Sequence, residues 1–310
     1  MGNQTKDSYL SSLKSIETEN WVDRKFYRPI GYRLAVALKG TGVTPNMVTV
    51  ASIFVGLGGG LSFMHTEPYW WAFVGIGCMI LANTMDCVDG QLARLTGIRS
   101  EVGRILDGLA GDLWFACIYT CLVIRLSHGH PSWLNGNGWI VFAIVALLSG
   151  FSHLFQAAIT DYYKTIHLFF ISPEKGKEFE SSDNIRARIT LMRSSVNRTL
   201  TSAYLLYTLI QEFFTPNLQS YLQKLGAKYR SEEIPEERRT DFRRGSRKVM
   251  KTLDLLTFNG RTIPLFFLVL IDQVWLYFFY EIVILNVALI VSIYRHEAMC
   301  REQAETLDKQ

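Results

Sequence analysis

Apolar positions along the chain collect into runs of bilayer-spanning length, parted by short polar or basic connections. A transmembrane helix needs about 20 mainly apolar residues, and runs of that kind lie at 47–65, 69–93, 102–126, 138–161, 255–272 and 274–294, the last two short and close together. Their connections alternate in basic content. Seven Lys and Arg precede the first run, HTEP has none, Arg94, Arg99 and Arg104 surround the second loop, and neither SHGHPSWLNGNG nor the DQVW region carries any. Basic loops stay on the cytosolic side, so the pattern predicts six crossings with both termini in the cytosol.

Two segments fall outside these runs. Residues 20–39, NWVDRKFYRPIGYRLAVALK, mix aromatics with Arg and Lys, as an amphipathic helix lying in the membrane interface does; a solvated lead-in is the alternative. Residues 163–252 carry seventeen Lys and Arg against ten Asp and Glu, and their apolar island SAYLLYTLIQEFF is too short to span. The expectation is a helical cytosolic insertion resting on the membrane surface. The divisions are therefore 1–46 (N-terminus with interfacial helix), 47–162 (four spans), 163–252 (insertion) and 253–310 (two spans and a cytosolic tail).

Composition agrees with this all-α integral membrane class: 49% of the 310 residues are hydrophobic and 13% aromatic, more apolar than most soluble domains. The net charge of +4 is small for a nucleic-acid binder, and the basic residues sit beside apolar runs, where anionic headgroups are the natural partner. Five cysteines without a CxxC pair indicate packing residues, neither a disulfide framework nor a zinc site. The polar N-terminus has no apolar stretch of the kind a cleaved signal peptide needs, and Thr5 falls one position early for a myristoylation pattern.

Against this background the stretch MDCVDGQLARLTGIRSEVGRILDGLAGD, Met85 to Asp112, stands out, because it sets four aspartates at the junction of the second and third runs. Charge inside a bilayer is costly and marks functional sites. On a helix, Asp86, Asp89, Gly90 and Ala93 share a face, and Gly103 and Asp107 repeat the arrangement on the next helix. Carboxylates so placed suit a hard divalent cation, and missing side chains let a bulky anionic ligand approach the backbone.

At these residues the sequence resembles the CDP-alcohol phosphatidyltransferase family, whose signature is DxxDGxxARx8GxxxDxxxD. Asp86, Asp89, Gly90, Ala93, Arg94, Gly103 and Asp107 match in type and spacing, an agreement expected by chance on the order of once in a million chains. TPNMVT, Thr44 to Thr49, is similar to the family's entry to its first span, with Thr44 as N-cap and Pro45 as first helical residue. The resemblance implies an enzyme that binds two divalent ions, Mg2+ or Mn2+, and transfers a substituted phosphoryl group from a CDP-linked donor to an alcohol, releasing CMP. It implies Asp86, Asp89, Asp107 and Asp112 as metal ligands, Asp112 also as the catalytic base, and Asn46, Gly90, Ala93, Arg94 and Gly103 around the CDP donor. Arg94 would hold phosphate or brace the aspartates; a helix-end cation snorkelling to the headgroups is the alternative.

One position departs from the signature. The last aspartate should follow Asp107 by four residues, yet position 111 is glycine and the carboxylate comes at Asp112. A five-residue offset turns about 140° away on a regular helix. If Asp112 is the base, the helix near Gly108 and Gly111 carries a π-bulge that returns its carboxylate to within a water of the other three.

Acceptor-binding candidates are Asp161 and Lys164, with His167, at the end of the fourth run, and Arg186, Arg188 and Arg193 in the insertion; Lys251, Asn259 and Arg261 precede the fifth. For each, a headgroup contact or a solvated helix end is the alternative. His153, Asp272 and Glu281 read as structural or interfacial. The resemblance to bacterial members of inositol-lipid pathways, with the arginines near the mouth, implies CDP-diacylglycerol as donor and inositol phosphate or inositol as acceptor, in the bacterial inner membrane, with the site facing the cytosol and the protein a homodimer. Serine and glycerol phosphate are the next acceptors. A CDP-choline or CDP-ethanolamine donor acting on a lipid alcohol is the reverse arrangement, and a silent or ion-binding relative is the reading from another class.

Overall fold

The structure is a computed structural model that describes residues 9–98, 100–128, 138–174, 176, 179–192 and 195–309. No strand occurs among them. A π turn at Asp23–Tyr27 leads into α1 (Arg28–Leu38), followed by α2 (Pro45–Ser62), α3 (Trp70–Thr96), α4 (Glu101–His128) and α5 (Gly138–Ile171). Four further helices are α6 (Ser182–Leu191), α7 (Ser195–Phe213), α8 (Pro216–Lys228) and α9 (Glu236–Leu253). A 3₁₀ turn at Asp254–Leu256 separates α9 from α10 (Phe258–Leu270), and α11 (Trp275–Phe279) passes through a π turn at Tyr280–Ile284 into α12 (Leu285–Asp308). Six helical stretches among the described residues are long and apolar enough to cross a membrane, so the chain is an all-α integral membrane protein.

The chain divides into two compact units. The first comprises the chain to Leu154 with Thr257–Ile284. Its core gathers Phe63, Met79, Trp114, Phe115, Ile118, Leu265 and Tyr277. In lipid, helices gain by close packing rather than by escaping water, and small residues permit it. A Cβ at Gly56 would collide with the Trp114 indole, and one at Gly75 with the Phe63 ring, so glycine is what lets α2 meet α4 there and α3 approach Phe63. Thr44 caps α2 by accepting from the Met47 N–H at 3.3 Å, with Pro45 in the first turn. Gly97, at φ +73°, closes α3 in the left-handed region that favours glycine. Ser100 accepts the Gly103 N–H at 2.9 Å and so starts α4.

The lead-in expected over residues 20–39 is helical from 21 to 38, the π turn running directly into α1. α1 buries Gly31, Tyr32 and Ala35 while Leu34 and Val36 stay exposed. Ala35 packs with Val48, Val88 and Leu92, which fixes α1 beside the signature residues of α3.

The second unit comprises Phe155–Leu256 and Leu285–Gln310. Two elements run past their expected ends: α5 continues from 161 to Ile171, and α12 continues beyond 294 to Asp308. Leu218, Tyr221 and Leu225 of α8, with Phe242 and Val249 of α9, are buried, as are His296, Cys300, Ala304 and Leu307 of α12. α12 packs against both helices. Apolar residues of α8 and α9 thus close on α12, while α7 keeps Leu206 and Phe213 exposed. All five cysteines are free thiols.

Candidate metal and nucleotide site

Asp86, Asp89 and Asp107 each offer a carboxylate oxygen within 4.8 Å of the others. α3 supplies the first two, one turn apart, and α4, which follows the turn at Gly97, supplies the third; both helices pack on α2. Thr49 of α2 adds a third helix by donating its hydroxyl to Asp89 Oδ2 at 2.6 Å. Two unit negative charges at such a separation repel by about 3.5 kcal/mol at an effective dielectric constant near 20. Hard oxygen donors crowded in this way fit Mg2+ or Mn2+, which offset that repulsion.

The small residues beside the carboxylates have neighbours. A Cβ at Gly90 would meet Arg94 Nη2 at 3.3 Å, so the guanidinium of Arg94 lies over that position. A Cβ at Gly103 would collide with the Asn46 side chain, whose Nδ2 donates to Ser100 Oγ at 2.9 Å. Ala93 is half-buried on the same helix. Arg94 thus lies against Gly90, and Asn46 against Gly103.

Asp112 is elsewhere. α4 is a regular α-helix through Glu101–His128, without the expected bulge. Glycine lowers helix preference by only about 1 kcal/mol, and the buried packing of Trp114, Phe115 and Ile118 one turn on holds the helix straight. The Asp112 carboxylate instead lies 3.3 Å from His153 Nε2, and His153 Nδ1 lies 3.3 Å from the Tyr119 hydroxyl. A π turn does occur in the sixth span, at Tyr280–Ile284, where it carries Glu281.

Arg261 is also turned away from an acceptor role. It is 1% exposed, and its Nη1 donates to Glu281 Oε2 at 2.6 Å while Tyr277 donates to Oε1 of the same carboxylate at 2.8 Å. A buried cation needs a paired anion, and Glu281 supplies it. Asn259, also buried, donates to Asp23 Oδ1 at 2.7 Å. Asp161, half-buried Lys164 and exposed Arg186 lie in the second unit, where Arg188 pairs with Glu180 at 3.0 Å. Arg193 lies outside the described residues.

Sequence reasoning passed over the N-terminal segment. Arg94 Nε donates to the main-chain oxygen of Ser12, and Gln91 Nε2 donates to Ser12 Oγ at 3.1 Å. Arg28 pairs with Glu19 at 3.0 Å, and burial pushes the Tyr27 hydroxyl up to about 12. Thr49 was visible within TPNMVT; the Ser12 carbonyl carries no sequence signal at all. A second metal-type group, His296, Glu297 and Cys300, has a structural role: Glu297 accepts the Asn217 N–H at the start of α8 at 2.6 Å, and His296 stacks on Tyr163 at 3.9 Å.

Residues 42–174, which hold every member of this acidic site, match the family model described as CDP-alcohol phosphatidyltransferase. They form a CDP-alcohol phosphatidyltransferase domain. The chain is 27% identical over 163 residues to the phosphatidylinositol phosphate synthase of Mycolicibacterium smegmatis, covering 42% of this chain and 72% of the relative. It is 26% identical over 118 residues to the CDP-diacylglycerol--glycerol-3-phosphate 3-phosphatidyltransferase of Cereibacter sphaeroides, covering 38% of this chain and 49% of the relative. A protein of Aquifex aeolicus is 30% identical over 110 residues, covering 35% of this chain and 51% of that protein. The chain thus spans about half the length of two of these relatives.

Proposed function

We propose that this protein transfers a phosphatidyl group from CDP-diacylglycerol to a small phosphorylated alcohol, inositol phosphate first, and releases CMP. The observation that carries the reading is the convergence of Asp86, Asp89 and Asp107 within 4.8 Å inside the transferase domain. These three carboxylates would hold two Mg2+ or Mn2+ ions. Bound there, such ions neutralise charge that grows on the departing phosphate. Thr49 orients Asp89 through its hydroxyl, and outer-shell bonds of this kind set the affinity of a ligating carboxylate. Asn46, Gly90, Ala93, Arg94 and Gly103 form the donor side, where the guanidinium of Arg94 pairs with phosphate oxygens. In the reaction, the acceptor hydroxyl oxygen bonds to the phosphorus bearing diacylglycerol, the bond from that phosphorus to CMP breaks, and the hydroxyl proton passes to a base other than Asp112.

Support for a phosphorylated acceptor comes from two relatives, a phosphatidylinositol phosphate synthase and a CDP-diacylglycerol--glycerol-3-phosphate 3-phosphatidyltransferase. Glycerol phosphate is accordingly the second reading. The basic loops beside α2 and between α3 and α4 support a site facing the cytosol; a bacterial inner membrane and a homodimer complete the reading. The test is CMP release by the purified protein given CDP-diacylglycerol, magnesium and a panel of acceptors. Release stimulated most by inositol phosphate is expected; stimulation by glycerol 3-phosphate alone moves the acceptor, and no release with any acceptor removes the reading.

A further inference from the structure

The segment ahead of α1 reaches the transferase signature although it lies outside the matching stretch, which begins at residue 42. It is tied down at both ends. Ser12 binds α3 twice, taking the Arg94 Nε–H on its carbonyl and the Gln91 amide on its hydroxyl at 3.1 Å. Asp23 accepts from Asn259 of α10 at 2.7 Å. Between them Glu19 pairs with Arg28, and ahead of Ser12 the Tyr9 ring sits edge-on to Tyr32 at 5.4 Å.

We infer that residues 9–23 form a strap whose Ser12 latches Arg94 over Gly90, and that a nucleotide diphosphate opens the latch by taking Arg94 from it. This rests on the donor site proposed above. Arg94 Nη2 sits 3.3 Å from where a Gly90 side chain would begin, so the guanidinium fills the gap that the missing side chain leaves. The Ser12 carbonyl holds it there. Asn46 lies where a Gly103 side chain would begin, held by Ser100 at 2.9 Å. Both openings are thus closed by side chains of the site itself. A phosphate is the stronger partner, because it adds charge–charge attraction and can take two parallel N–H bonds from the guanidinium, where a single neutral carbonyl does neither. The exchange therefore runs toward nucleotide: Arg94 turns onto the diphosphate, and the strap loses its attachment to α3.

Hydrogen–deuterium exchange of the full-length protein in detergent, with and without cytidine diphosphate and magnesium, tests this. Nucleotide binding is followed in parallel by calorimetry. Uptake across residues 9–20 should rise by about threefold or more on binding. Ser12→Ala and Gln91→Ala each remove the 3.1 Å bond that steadies the latch, and each should bind cytidine diphosphate about fivefold more tightly, the factor set by one ordinary hydrogen bond. Binding with unchanged or slowed exchange overturns the strap and leaves the donor site standing. Failure of cytidine diphosphate to bind the wild type or either variant removes the donor reading and the strap with it.

Discussion

Thr49 donates its hydroxyl to Asp89 at 2.6 Å, joining α2 to one of three carboxylates that crowd the meeting point of α3 and α4. The same oxygen lies 3.1 Å from the Pro45 carbonyl, so its place is fixed by the first turn of α2. Thr49→Val keeps the shape and deletes the bond. Loss of such an outer-shell partner costs about 10- to 100-fold in metal affinity. Titration of activity with magnesium should therefore show a half-saturating concentration raised by that factor, with the maximal rate largely recovered at high metal; an unchanged titration separates Thr49 from the metal site.

The carboxylates themselves should behave as an all-or-none set. Asp86→Asn, Asp89→Asn and Asp107→Asn each remove a negative charge from a group whose oxygens lie within 4.8 Å of one another, and each should lower CMP release by about 100-fold or more while the protein still inserts and purifies. Excess EDTA should do the same to the wild type, with recovery on adding magnesium or manganese. Full turnover in chelator would end the metal reading.

Much of this arrangement was legible in the sequence because it is local. Asp86, Asp89, Gly90 and Ala93 share a helix face by offset alone, and Asp107 follows on the next helix after a short turn. The partnerships that were not legible are long-range. His153 lies 41 positions beyond Asp112, and the bond from Arg94 to Ser12 spans 82 positions and ends on a main-chain carbonyl, which any residue offers. The tail beyond 294 was readable in principle: His296, Cys300, Ala304 and Leu307 repeat at helical spacing and are all buried, but the charged residues between them masked the stripe.

Arg261 and Glu281 make the strongest stability prediction. Both are buried to within 1% of full, and the π turn at Tyr280–Ile284 carries the carboxylate that meets the guanidinium at 2.6 Å. Removing one partner strands the other, at a cost of about 3–5 kcal/mol. Arg261→Met should lower the thermal midpoint in detergent by several degrees, and adding Glu281→Leu should restore most of the loss. A double variant no more stable than the single would mean that these residues do not act as a pair.

The last prediction concerns the aspartate that the signature would place one position earlier. A regular α4 turns Asp112 about 140° from Asp107, and its carboxylate already has a partner in His153 at 3.3 Å, with Tyr119 behind it. A base must come within hydrogen-bond reach of the proton it takes, directly or through one water. The acidic group within 4.8 Å comprises Asp86, Asp89 and Asp107 without Asp112. Asp112→Asn keeps a polar partner for His153 and should leave CMP release within about threefold of wild type, a change worth under about 1 kcal/mol in the barrier. Loss of most turnover with metal and cytidine diphosphate binding intact would return the base role to Asp112, and would require α4 to leave its regular path when substrates bind.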